Sequence, residues 1–173
     1  MLGRSPMPSS HKTPIMFGCA AFALLAMSLL AWAQDRGAAI AKDAIFARKI
    51  LMDTIGTNMD ELEGMMASGK PINLTEAHEH ADVISVMLMA FPHLFPADTN
   101  QWKPDAERDP GRDTYASPEL FTNYADFYAQ AARASKIAYN ACRAKQEGDF
   151  KTFVAELRTA CDACHAVYLK TER

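Results

Sequence analysis

The chain reads as an all-α protein, an antiparallel four-helix bundle, and three observations carry that reading. Apolar residues recur at spacings of three and four over four long stretches. No β-branched run with period-two alternation reaches useful strand length. Gly69-Lys70-Pro71, Pro92, Pro96 and Gly148-Asp149 punctuate the boundaries between the periodic stretches.

The segment Met1 to Ala33 precedes the bundle and reads as a secretory signal peptide. It has a short basic start (Arg4, Lys12), an apolar run from Ile15 to Trp32 and an A-x-A exit at Ala31 and Ala33, which favours cleavage before Gln34. The run is also long enough for a marginal transmembrane helix, so an uncleaved membrane anchor is the alternative. Residues 34–173, about 140 in number, then form one domain with enough chain to bury a core.

The first helix is expected from about Asp35 to Ala67. Ile45, Arg48, Met52, Ile55, Met59, Leu62 and Met66 make a heptad seam facing a partner helix, and Gly69-Lys70-Pro71 ends it. The second starts with Asn73 or Thr75 as N-cap and runs to about Phe91. Its inward side is Leu74, Ala77, Ala81, Ile84, Leu88 and Phe91, and Pro92 and Pro96 stop it. Pro96 to Ser117 lacks apolar periodicity and reads as a long crossover loop. Ser117-Pro118-Glu119 opens the third helix, with a cap followed by proline at the first helical position. That helix is expected to reach Gln146 and to present Phe121, Tyr124, Tyr128, Ala131, Ser135, Ala138 and Cys142. After Gly148-Asp149 the fourth helix carries Phe153, Leu157, Ala160, Cys164 and Tyr168.

That last helix contains Cys161-Asp162-Ala163-Cys164-His165, a C-x-x-C-H pattern that reads as a covalent attachment site for c-type haem. Thiols at i and i+3 stand about one helical turn apart, as bonds to the two vinyl groups of one porphyrin require. The adjacent His165 supplies the proximal iron ligand. A structural zinc site wants four ligands, usually two such pairs, whereas Cys19 and Cys142 are isolated. A thioredoxin-like dithiol would sit near a βαβ pattern, and none is visible. Cys142 reads as a small buried apolar residue.

Candidates for the second axial position are Met52, Met59, Met65, Met66, Met87 and Met89, with His78, His80 and His93. Methionines at helical spacing are usually gap-filling core. His78 and His80 stand beside Glu76 and Glu79 in a polar helix start and read as solvated, and His93 sits at a helix exit between two prolines. Met52 differs, because it lies on the inward seam with Arg48 one turn before and Gly56 one turn after. An arginine in a buried seam is destabilising unless it meets an anion, and haem propionates supply one. Gly56 inside a helix costs about 1 kcal/mol relative to alanine, and close approach of a planar macrocycle or another helix would rationalise it. Spacing alone leaves Met52 evenly divided between iron ligand and core packing.

The run Arg48 to Met59, of the form R-x-x-x-M-x-x-x-G-x-x-M, resembles the first-helix signature of the cytochrome c prime superfamily. Members carry C-x-x-C-H near the C-terminus of the fourth helix, as here, and Phe91-Pro92-His93-Leu94-Phe95-Pro96 is also similar. The resemblance covers essentially the whole chain after the leader. It implies one covalently bound haem c on the C-terminal helix, with Cys161 and Cys164 as thioether anchors, His165 as proximal ligand and Arg48 beside the propionates. High-spin members place a non-ligating residue, often leucine, where Met52 stands. The low-spin cytochrome c-556 branch places methionine there, so the resemblance implies Met52 as distal ligand. One departure concerns the proximal side. Tyr168 follows the pentad at the family spacing, but Leu169 comes next, and the base appears one residue later at Lys170.

The expected function is therefore a periplasmic monohaem electron carrier with six-coordinate His/Met iron, not an enzyme. The alternative is a five-coordinate or methionine-displaceable member that binds nitric oxide or carbon monoxide. Export agrees with the pentad, since the resemblance implies haem attachment outside the cytoplasm. Removing the leader makes the formal charge of −3 two units more negative, which argues against nucleic acid as partner. Lys145, Lys151, Arg158, Lys170 and Arg173 give the C-terminal helices a basic flavour suited to acidic redox partner proteins. A homodimer packed through the first two helices is allowed by resemblance only.

Overall fold

The computed structural model describes the backbone of residues 16–170 and the side chains of residues 36–170. The chain divides into two units, Met1–Gly37 and Ala38–Arg173. In the first, the described backbone is helical from Met16. The leader expected over Met1–Ala33, with Cys19 in it, falls outside the residues whose side chains are described. Among the described residues no helix is long and apolar enough to cross a membrane.

The second unit is the helical bundle. Helix α1 (Met16–Ala67), which enters this unit at Ala38, ends as the glycine pattern requires: Gly69 takes φ +68, a left-handed conformation that residues with a Cβ disfavour. Along α1 the residues Ile45, Arg48, Ile55, Met59 and Leu62 are buried and Met52 and Met66 half-buried, so the heptad seam is the inward face. Helix α2 (Leu74–Ala90) has Asn73 at its N-cap and buries Ala77, Ala81, Ile84 and Leu88. Pro92 cannot extend it, and the chain tightens into a 3-10 turn over Phe91–Leu94, followed by a second over Ala97–Thr99. Among the described residues there is no strand, only an isolated antiparallel bridge between Ala116 and Leu169.

The third helix departs from its expected form. It consists of α3 (Pro118–Thr122) and α4 (Tyr124–Cys142), with a break at Asn123. The expected Ala131, Ser135, Ala138 and Cys142 are buried, but the inward aromatic of α4 is Phe127, while Tyr124 and Tyr128 are exposed. The end comes at Cys142 rather than Gln146, and Cys142 itself is buried as expected. Helix α5 (Glu147–Tyr168) begins a little earlier than Gly148-Asp149 suggested, with Gln146 at its N-cap. It buries Phe150 and Val154 alongside Leu157 and Tyr168, while Phe153 is half-buried.

Small residues let α2 and α4 approach closely. Ala81 and Ser85 on one face Ala134, Ser135 and Ala138 on the other. Ser85 Oγ donates to the Ser135 carbonyl at 3.0 Å, and Ser135 Oγ donates to the Ser85 carbonyl at 2.8 Å. Buried hydroxyls carry a desolvation penalty unless paired, and this reciprocal arrangement satisfies both. The two histidines read as solvated are in fact half-buried and structural. His78 Nε2 lies 2.9 Å from the Ala144 carbonyl, and His80 Nδ1 lies 2.8 Å from Asn58 Oδ1, so each ties α2 to a neighbour. Neither contact was visible in the sequence, because both partners are remote along the chain.

Two outcomes follow from this packing. Leu62 is fully buried in the larger core cluster. Leu62→Ala is expected to lower stability by about 2–5 kcal/mol, read as a lower urea midpoint with unchanged slope. At the start of α5, Glu147 accepts from Lys151 Nζ at 2.6 Å and from the Ile72 amide at 3.4 Å. The lysine bond, then the amide, lowers its pKa below 4.5. A depressed carboxylate pKa means that the unfolded chain binds the extra proton. The contribution is therefore complete above pH 4.5 and is lost as the pH falls through the folded value. Glu147→Gln should accordingly flatten the acid limb of the stability profile below pH 4.5 without steepening it elsewhere.

Candidate functional site

The core is not continuous. One buried cluster runs through Ile55, Leu62, Ile84, Ala138 and Phe150, and a second through Phe91, Phe95, Leu120, Phe127 and Tyr168; Met52 packs against both. Between them lies a cavity of about 210 Å³ that opens to solvent. Protein interiors normally fill such space at crystal-like density, and a concave, mostly apolar hollow with a few polar groups is the usual form of a cofactor site.

All five residues singled out in the sequence line this one cavity: Arg48, Met52, Cys161, Cys164 and His165. Of the other axial candidates only Met59 joins them, and it is 1% exposed, locked in the core. Met65, Met66 and Met87 pack against the larger cluster, Met89 is exposed, and none of His78, His80 and His93 reaches the lining. Cys161 and Cys164 are half-buried on one face of α5, as their spacing requires. Burial raises the pKa of both thiols, that of Cys164 to about 11. Both are protonated at neutral pH, a poor state for the nucleophilic dithiol chemistry weighed against haem above. His165 is exposed along the cavity side of α5, yet neighbouring protein atoms strip enough water to lower its pKa. Asp162 opposes that shift and Arg158 adds to it.

Arg48 is the most unusual group in the wall. It is 4% exposed, and among the described residues no carboxylate pairs with it. Its guanidinium donates to Thr99 Oγ1 at 3.0 Å, to the Leu94 carbonyl at 3.4 Å and to Thr114 Oγ1, and lies 4.5 Å from the centre of the Phe95 ring. Burial pushes its pKa down to about 10, so it is still a cation at neutral pH. Beside it, Lys49 Nζ donates to the carbonyls of Pro110 (2.5 Å) and Asp113 (2.8 Å) and sits 4.9 Å from the Tyr115 ring centre. These two neighbours on α1 thus hold both ends of the crossover loop, whose residues Thr114, Tyr115 and Ala116 form part of the cavity wall. The far edge of the loop is clipped to the end of α5, where Ser117 N–H donates to the Tyr168 carbonyl at 2.9 Å and Lys170 N–H to the Tyr115 carbonyl at 2.8 Å.

These residues fit a haem. The thiols are correctly spaced, an imidazole adjoins them, the walls are largely apolar, and the buried Arg48 cation, unpaired with any carboxylate among the described residues, suits a propionate. Gly56 also lines the space, and a Cβ built on it would meet nothing within 4 Å. Its absent side chain therefore adds to the cavity rather than relieving a helix contact.

Sequence reasoning missed Thr99 and Thr114, which hold Arg48 from a loop without periodicity, and took Arg158 only as part of a basic docking face, whereas it lines the cavity one turn before Cys161. The helical spacing of Arg158 could have revealed it. The basic face is largely neutralised: Lys151 pairs with Glu147, Arg158 with Glu63 at 2.6 Å and Lys170 with Glu119 at 3.5 Å. Lys145 is exposed, and Arg173 lies outside the described residues. Tyr168 is buried, and its hydroxyl donates to Asp126 Oδ2 at 2.5 Å. Burial, reinforced by that carboxylate, raises its pKa to about 12.

Replacing Arg48 removes the loop's main fixture. Hydrogen bonds to charged groups contribute about 1.5–3 kcal/mol each, so Arg48→Met should speed amide exchange around Thr99 and Thr114 at least tenfold. The helices α2 and α4 should keep their protection.

A family model described as cytochrome C' matches residues 43–169. No curated protein sequence matches the chain. Among solved structures, cytochrome c' from Thermochromatium tepidum is 21% identical with a TM-score of 0.66, covering 76% of this chain and 97% of its own. An NMR-validated structural model of oxidised cytochrome c556 from Rhodopseudomonas palustris is 23% identical with a TM-score of 0.62, covering 76% and 98%. The nitric oxide complex of a variant cytochrome c prime from Alcaligenes xylosoxidans is 14% identical with a TM-score of 0.63, covering 76% and 97%. At these identities the likeness concerns the four-helix fold. The match over residues 43–169 carries more: this chain belongs to the cytochrome c' family and is a monohaem c-type cytochrome whose single haem is covalently attached.

Proposed function

We propose that this chain is an exported one-electron carrier of the low-spin, methionine-ligated kind. In this reading Cys161 and Cys164 form the thioether bonds, His165 and Met52 ligate the iron, and Arg48 faces a propionate. The observation that carries it is the meeting of Met52 with the C-x-x-C-H residues in one cavity, to which the other methionine and histidine candidates, Met59 apart, contribute nothing. When bound, the haem supplies a one-electron ferrous/ferric couple. The protein's part is to hold two ligands on separate, well-packed helices, so that electron gain and loss require little rearrangement. Thioether ligation raises the reduction potential relative to bis-histidine sites. The apolar walls exclude water, and a filled coordination sphere leaves no position for substrate.

Residues 1–33 are proposed as the export leader and residues 34–173 as the working domain, which puts the carrier in the periplasm. The family membership and the described helices are consistent with that compartment. A homodimer remains part of the proposal by family likeness, since one similar structure is of a cytochrome c' with a ligand-controlled dimer dissociation. The second reading, a gas-binding protein with Met52 packed but not ligating, is favoured by one observation. Met52 is held only by apolar neighbours in a cavity walled by Phe91, Phe95 and Phe127.

Met52→Ala separates the two readings. The electron-carrier reading expects the haem-loaded variant to turn from low-spin to high-spin and to bind carbon monoxide when reduced, while the parent protein does neither. A variant with the parent's spectrum would remove Met52 from the iron.

A further inference from the structure

Three cationic side chains line the cavity, Arg48, Lys49 and Arg158, and among the described residues no carboxylate does. Two of the three are committed to the loop, as described above. Arg158 is different. It stands on α5 one turn before Cys161 and two turns before His165, and its Nε is bonded at 2.6 Å to Oε1 of Glu63, on α1. Glu63 is not itself in the lining. The pair joins α1 to α5, and its two side chains are 39% and 38% exposed.

A one-electron couple changes the charge at the iron by one unit, so any fixed charge nearby biases it. A cation stabilises the reduced form and an anion the oxidised form. Here the two opposite charges form one contact, with the cation on the cavity side and the anion behind it. Their effects therefore partly cancel, and the remainder favours reduction. Because both groups are a little over one-third exposed, solvent and salt screen them, and the bias is moderate.

We propose that the Arg158–Glu63 pair sets the ferrous-to-ferric balance of the haem held by Cys161, Cys164 and His165, with Arg158 as the positioning cation and Glu63 as its counterweight. The inference rests on those three residues holding haem, but not on Met52 as ligand.

The test uses the haem-loaded protein and three variants, Arg158→Gln, Glu63→Gln and Arg158→Lys, in spectroelectrochemical titrations at low ionic strength. Both glutamine variants break the same 2.6 Å contact. A merely structural role would therefore move the reduction potential in the same direction in both, or leave it unchanged. The charge role moves them apart. Arg158→Gln lowers the reduced-to-oxidised ratio at a fixed applied potential at least threefold, ~28 mV at about 59 mV per tenfold. Glu63→Gln raises the ratio by a similar factor, and Arg158→Lys stays near the parent. The shifts shrink in high salt. Shifts of the same sign, or none, with an unaltered c-type optical spectrum overturn this inference and leave the proposed function standing. A parent protein without thioether-bound haem overturns both.

Discussion

The rest of the structure depends on a space that the protein does not fill with its own side chains. Leaving a void between two hydrophobic clusters forfeits dispersion contacts that a packed core would make. Yet this fold keeps one, lined from α1, α2, α4, α5 and the crossover loop. Met52 is the side chain that packs against both clusters, and the glycine one turn on, Gly56, adds no bulk to the space between them. A planar, mostly apolar cofactor occupying that space would restore the missing contacts and join the clusters into a single core. Binding and folding are thus coupled through the same residues.

A second feature of the cavity follows from the first. A cation as buried as Arg48 is destabilising unless it is satisfied, and neutral hydroxyls and carbonyls satisfy its hydrogen bonds but not its charge. What those bonds accomplish is mechanical. They recruit Thr99 and Thr114 from a long segment with no periodic core residues, so a loop becomes part of a rigid wall. Lys49 does the same through Pro110 and Asp113. The unbalanced charge is left facing the space into which an anionic group would come. Fold and site are connected at one turn of α1, where adjacent residues fasten the loop and a third, Met52, looks into the cavity.

The parts of this arrangement that could be read from the sequence are those governed by local period. The α1 seam, the inward face of α2, the helix-stopping glycine and prolines, and the C-x-x-C-H pentad depend on residues within a turn or two of one another. Errors arose where a remote partner decided the outcome. At the start of α4, Phe127 and not Tyr124 or Tyr128 turned inward, into the cluster with Phe91, Phe95 and Tyr168. His78 and His80, in a polar run, were drawn into the structure by Ala144 and Asn58. The apparent basic face lost its charge to Glu63, Glu119 and Glu147. For Arg48 the sequence indicated burial and the need for an anion, while the threonines that orient it were invisible, since nothing in a non-periodic loop marks its register against a helix.

The most direct test of this account is the optical spectrum of the purified haem-loaded protein, recorded oxidised, reduced, and reduced under carbon monoxide. Filled axial positions predict sharp low-spin bands, a weak sulfur-to-iron charge-transfer band in the oxidised state, and no change on adding carbon monoxide. A high-spin spectrum that shifts with carbon monoxide would contradict Met52 ligation and return that side chain to the role of a packing residue between two cores.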